Sequence, residues 1–146
     1  MIAIGSDHGG FHLKQEIMRH LADQGIEFHD YGTYTEESCD YPDFGEAVGR
    51  AVASGECESG IVICGTGIGI SLAANKVRGV RAALCGDCFS AEMCRRHNNA
   101  NVLALGERVT GPGLALKIVD IFLSTGFDGG RHARRVAKLG AIEERN

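Results

Sequence analysis

Apolar residues gather in short β-branched runs that alternate with longer stretches of helical period. The runs are Ile2–Gly5, Gly60–Cys64, Val80–Leu84 and Val102–Leu105, with Ile26–Tyr31 a weaker one, and each reads as a strand. Between them, Leu13, Ile17 and Leu21 share a helical face that ends near Gly25. Leu114, Ile118, Ile121 and Phe122 share another, with Pro112 near the start of that helix and Gly126 beyond its end. Parallel neighbours need a crossover, which a helix supplies, so strand and helix in alternation predict a doubly wound α/β fold. The expectation is a five-stranded parallel sheet with helices on both faces. The tail from Gly129-Gly130 adds a further helix to that core.

A chain of 146 residues without repeat, low-complexity tract or linker is read as one domain, residues 1–146. No apolar run approaches the ~18 residues of a membrane span, which excludes a membrane protein. The net charge of -4 argues against a general nucleic-acid binder, which concentrates positive charge. Charge is nevertheless uneven: residues 1–58 hold 12 Asp/Glu against 3 Lys/Arg, and residues 59–146 hold 7 against 12. A small anionic ligand is therefore expected on the second half. Six cysteines without a signal-peptide pattern read as reduced thiols of a cytoplasmic protein.

In such folds ligands bind at the carboxyl ends of the strands. The groups at strand ends are Ser6-Asp7-His8-Gly9-Gly10, Cys64-Gly65-Thr66-Gly67-Ile68-Gly69, Asp87 and His97-Asn98-Asn99, and they are expected to converge on one edge of the sheet. A glycine-rich turn between strand and helix is either a tight turn or a cradle whose N–H groups face a negative charge. It is not a Walker loop, because Ile70-Ser71 rather than Lys-Ser/Thr follows Gly69. As a dinucleotide fingerprint it has G-x-G-x-G spacing at the wrong strand, although Asp87 lies where a ribose-binding acid would.

Cys64 opens that turn, beside backbone donors and a helix N-terminus, and is a candidate base or nucleophile or else a small buried hydrophobe. Cys85-x2-Cys88 and Cys94-x2-His97 have zinc-like ligand pairs, but too short a segment separates them for a zinc ribbon. Arg131 and Arg135, four apart on a helix, either clamp a phosphate or form a solvated face, and Arg108 is a similar cation.

Taken in order, Ser6-Asp7-His8-Gly9-Gly10, Asp40-Tyr41-Pro42, Ile63–Gly69, Ala73-Ala74-Asn75-Lys76, Arg96-His97-Asn98 and Gly129-Gly130-Arg131-His132 resemble the ribose-5-phosphate isomerase type B family. That family includes galactose-6-phosphate and allose-6-phosphate isomerases. The resemblance spans almost the whole chain and implies reversible aldose–ketose interconversion through a cis-enediolate, with no metal or organic cofactor. It assigns proton transfer to Cys64; members that use a glutamate carry it on the next helix, and Ile68–Leu72 holds no acid.

By the same resemblance Thr66 bonds the reacting hydroxyls and the amides of Gly65, Gly67, Ile68 and Gly69 hold the enediolate oxygen. His97 opens the sugar ring. Asp7 and Tyr41 contact ring oxygens or hydroxyls, and His8, Arg131 and Arg135 hold the phosphate, with Asn98 and Arg108 as further candidates. Family members are homodimers or dimers of dimers with shared sites, so His97, Asn98 and Arg108 belong to either chain. The substrate expected is ribose 5-phosphate, the alternatives being a six-carbon aldose 6-phosphate (allose or galactose), a non-catalytic phosphate- or nucleotide-binding module, and a zinc-stabilised interaction protein.

Overall fold

The five apolar runs become the strands of one sheet: β1 (Ile2–Ser6), β2 (Phe28–Asp30), β3 (Ser59–Cys64), β4 (Ala82–Leu84) and β5 (Val102–Gly106). The computed structural model describes residues 1–146. All pairings are parallel, in the order β2-β1-β3-β5-β4. The helices are α1 (Phe11–Asp23), α2 (Tyr41–Ala53), α3 (Ile68–Asn75), α4 (Cys88–Arg96), α5 (Pro112–Ser124) and α6 (Arg131–Glu144), and a single 3-10 turn (His8–Gly10) precedes α1. No helix is long and apolar enough to cross a membrane.

Two strands are shorter than their apolar runs. Val80 is buried but belongs to a turn, its N–H bonded to the Val77 carbonyl, so β4 starts only at Ala82. The periodicity did not single out α2, which begins at Asp40-Tyr41-Pro42 with proline in the first turn, where its missing N–H is harmless. It buries Val48, Ala51 and Val52.

Right-handed crossovers fix the layers. The chain moves one way from β1 to β2 and from β4 to β5, and the other way from β2 to β3 and from β3 to β4. Helices α1 and α4 therefore share one face with α5, and α2 and α3 share the other. Strand alternation sorts the side chains accordingly. Ile2, Ile4, Ile61, Ile63, Leu103 and Leu105 pack with α1, α4 and α5, while Ala3, Val62, Cys64, Val102 and Ala104 pack with α2 and α3. The second set is smaller, so α2 and α3 lie close to the sheet.

Helix α6 stands apart. It buries none of its 14 residues. Its last turn is tied to the segment leading into β4, where the Glu143 carboxylate accepts the Gly79 N–H at 3.1 and 3.2 Å and the Asn146 carbonyl accepts Arg78 at 3.0 Å.

Candidate active site

The chain reverses its direction of travel across the sheet between β1 and β3, and at such a switch point the carboxyl ends of the two strands open a crevice. Asp7 follows β1 and is buried; its Oδ1 accepts the N–H groups of Gly9 at 2.9 Å and Gly10 at 3.2 Å. That bonding folds the 3-10 turn back over the end of β3. A Cβ at Gly10 would stand 2.6 Å from the Ile63 carbonyl oxygen, so only glycine allows the approach. The turn presents His8, whose Nδ1 accepts the Cys39 N–H at 3.2 Å. The neutral ring then carries its proton on Nε2.

Cys64 ends β3, buried, and its Sγ accepts the Gly67 N–H at 3.1 Å. Gly67 has φ +80, which swings the backbone from strand into α3 and turns its N–H onto the sulfur. The Thr66 Oγ1 accepts the Ile68 N–H at 3.2 Å, leaving its own proton free to donate. The N–H groups of Gly65, Thr66, Gly69 and Ile70 donate to no acceptor in the chain. This is an anion-binding concavity beside a thiol.

Two further groups close around it. Tyr41 lies against Gly69, where a Cβ would stand 2.6 Å from ring atoms Cε1 and Cζ. Arg108 follows β5, donates its N–H to the Gly65 carbonyl at 3.0 Å, and lays its guanidinium along Gly65. Its neighbour Glu107 reaches the other way, its carboxylate accepting the Leu13 N–H at 2.6 Å at the start of α1.

The expected convergence of all strand-end groups on one edge does not hold. In a parallel sheet, residues that follow a strand lie at the carboxyl edge and residues that lead into one lie at the amino edge. His97, Asn98 and Asn99 lead into β5. They are separated from Cys64 by the length of the strands, about 15 Å for five residues. Asp87, at the carboxyl edge, caps α4 by accepting the Ser90 N–H at 2.7 Å and hydroxyl at 2.9 Å, bonds that also lower its pKa. That role accounts for its place in the sequence without a ribose.

A second cluster forms at the amino edge. His97 ends α4 and stacks on His132 of the first turn of α6, ring centroids 4.1 Å apart and planes 7° from parallel. Asp128, from the loop between α5 and α6, joins them; nitrogen and carboxylate ligand atoms of the three lie within 4.8 Å of one another. Arg96 holds Asp128 by contacts of 3.2 and 3.3 Å. Burial first, then His97, Arg131 and Arg135, lower the pKa of His132 against the opposing pull of Asp128. Arg131 and Arg135 are both exposed on the same helix.

The structure thus brings Asp7, His8, Tyr41, Cys64, Gly65, Thr66, Gly67, Ile68, Gly69 and Arg108 together at one edge, and His97, Asn98, Arg131 and Arg135 at the other. The zinc-like pairs do not assemble: Cys85 and Cys94 face each other in the core, Sγ to Sγ 3.9 Å, while His97 turns toward Asp128 and His132. Sequence reasoning passed over Cys39, Glu107, Asp128 and His132 as partners of the site. Only His132 had a signal, its place beside Arg131 after a double glycine.

Comparison with known proteins gives the family. The family model described as Ribose/Galactose Isomerase matches residues 2–139. Ribose-5-phosphate isomerase B of Escherichia coli is 52% identical over 144 residues, covering 99% of this chain and 97% of that protein. Among solved structures, a ribose-5-phosphate isomerase B of Clostridium thermocellum superposes with a TM-score of 0.98 at 61% identity, covering 99% of this chain and 97% of the other. A ribose-5-phosphate isomerase B of Mycoplasma genitalium with bound ribulose-5-phosphate superposes with a TM-score of 0.95 at 43% identity, again covering 99% and 97%.

Proposed function

The chain belongs to the ribose/galactose isomerase family and is an aldose–ketose isomerase; we propose that it interconverts ribose 5-phosphate and ribulose 5-phosphate through a cis-enediolate, with Cys64 as the base. The observation that carries this reading is the buried Cys64 sulfur beside a turn with four unpartnered N–H groups. A phosphate receptor has no use for a thiol there. An enediol reaction has use for both.

The thiolate takes the proton from C2, and the electron pair moves through the new C1–C2 double bond onto the C1 oxygen. The Gly67 N–H stays on the sulfur while it is unprotonated, and the free amides of the turn meet the developing oxyanion, where preorganised donors have their largest effect. The thiol then returns the proton to C1, and a proton passes from the C2 hydroxyl to the C1 oxygen, a step for which the Thr66 hydroxyl is the nearby relay. Each atom is accounted for within the substrate, so no redox cofactor enters. His8 and Arg108 meet the phosphate from this edge.

Ring opening and the rest of the phosphate grip then come from the partner's His97, Asn98, Arg131 and Arg135. One chain cannot supply both edges, because the sheet between them is rigid. A homodimer, or a dimer of dimers, supplies each site from two chains. Exposed apolar groups support such an assembly: Ile68 and Leu72 on α3, Phe89 on α4, Val109 after β5, and Leu139 and Ile142 on α6. The acidic first half and basic second half are complementary across it. All six cysteines are free, which suits the cytoplasm.

The test is conversion of ribose 5-phosphate by purified, EDTA-treated protein, with a panel of hexose 6-phosphates beside it. Turnover that disappears in Cys64→Ala supports the base; silence on every sugar phosphate overturns the isomerase. Mixing inactive Cys64→Ala and His97→Asn chains tests the shared site. Random heterodimers would regain about a quarter of wild-type activity, since one site in each is intact. A site within one chain would regain none.

A further inference from the structure

Two imidazoles and a carboxylate meeting within 4.8 Å form a ligand set of a recognisable kind. His97, Asp128 and His132 come from three segments, the end of α4, the loop before α6 and the first turn of α6, and the core packing of α4 holds the first of them. The two rings are stacked, centroids 4.1 Å apart and planes 7° from parallel, so an ion held at about 2.0–2.1 Å by a nitrogen of each requires one ring to swing out of the stack, and His132, only half-buried at the start of α6, is the ring free to turn. Asp128 is oriented from behind. Its carboxylate takes Arg96 at 3.2 and 3.3 Å, and its N–H bonds the Arg96 carbonyl at 3.0 Å. A carboxylate with such an outer partner is held in place before the metal arrives.

We propose that His97, Asp128 and His132 bind a first-row transition-metal dication of the zinc type, with a coordination position left open. Two nitrogens and one oxygen favour zinc, cobalt or nickel over magnesium and calcium, which take oxygen ligands. Three protein ligands are the number found in open rather than closed zinc sites. Arg131 and Arg135 lie on the same helix and oppose a dication, so the ion exchanges readily and EDTA removes it. The isomerisation needs no metal. On the reading given above, His97 cannot ligate an ion and open a sugar ring at once, so occupancy inhibits the enzyme. That consequence rests on the proposed role of His97; binding of the ion does not.

Cobalt(II) titrated into the EDTA-treated wild-type protein is the direct probe, because its near-ultraviolet and visible spectrum separates nitrogen and oxygen ligation from the sulfur charge-transfer bands that thiols would give. The expected result is one ion per chain, no sulfur band, and affinity lowered at least about tenfold in both His132→Ala and Asp128→Asn. Circular dichroism checks that both variants remain folded. Unchanged affinity in the two folded variants, or a spectrum of thiolate ligation, overturns the site. In the parallel assay zinc inhibits wild-type turnover, EDTA restores it, and His132→Ala needs at least about tenfold more zinc for the same inhibition. Cobalt bound as described but without inhibition by zinc supports the site and counts against ring opening by His97.

Discussion

The carboxyl and amino edges of the sheet, which the proposed site combines, are built from different materials. At the carboxyl edge the groups proposed to act are short and held by backbone: Cys64 by the Gly67 N–H, Asp7 by two amides, His8 by the Cys39 N–H. At the amino edge they are side chains at helix ends, and α6, which carries the two arginines, buries nothing. The difference suits the tasks. Proton transfer between adjacent carbons tolerates little displacement of base or oxyanion donors. Gripping a phosphate tolerates more, because guanidinium groups on flexible stems follow it.

The sharpest way to break this comparison is at the thiol. Cys64→Ser keeps the shape and the hydrogen bond but loses the proposed base, and turnover is expected to fall roughly 10²–10⁴-fold, with a thermal midpoint close to wild type. An equal loss of stability and activity would make the cysteine structural. At the opposite edge Arg131→Ala or Arg135→Ala removes one charge-assisted contact, and steady-state kinetics should show KM raised roughly tenfold to a hundredfold with kcat little changed. A fall in kcat alone would place these arginines in the chemistry instead.

The same substitution made at both edges sharpens the contrast. Gly67 and Gly130 both have positive φ, +80 and +55, but a Cβ at Gly67 would stand 2.5 Å from Leu84 Cδ1, while one at Gly130 meets nothing within 4 Å. Urea denaturation should find Gly67→Ala, where left-handed strain and overpacking add, destabilised by about 3–5 kcal/mol, and Gly130→Ala, where strain acts alone, by about 1–3 kcal/mol. Equal losses would mean that backbone strain alone decides.

The smallest effect is at the carboxyl end of β2. Burial, and then the Cys57 thiol, push Tyr31 up to about 12 from 10.0. The folded state holds that proton more tightly than the unfolded chain. Its share of stability is thus complete below pH 10.0 and lost as pH rises through about 12. Urea midpoints measured across that window should fall less steeply in Tyr31→Phe, and identical slopes would remove Tyr31 from the account.

Local pattern was enough for much of this protein. Alternating apolar runs and helical faces marked all five strands, with α1, α5 and the added tail, because burial and backbone bonding act over a few residues. The glycine turn and its thiol were legible for the same reason, since strand end, turn and helix start are contiguous. What contiguity does not carry was misread or missed. His97 looked like another strand-end group, but only the direction of the chain through a parallel sheet puts it beneath β5 while Cys64 stands above β3. Cys39 on His8, Glu107 on Leu13 and Asp128 beside His132 join segments far apart in the chain. Such neighbours are set by strand order and crossover handedness, which depend on how the whole chain packs, and no window of sequence contains them.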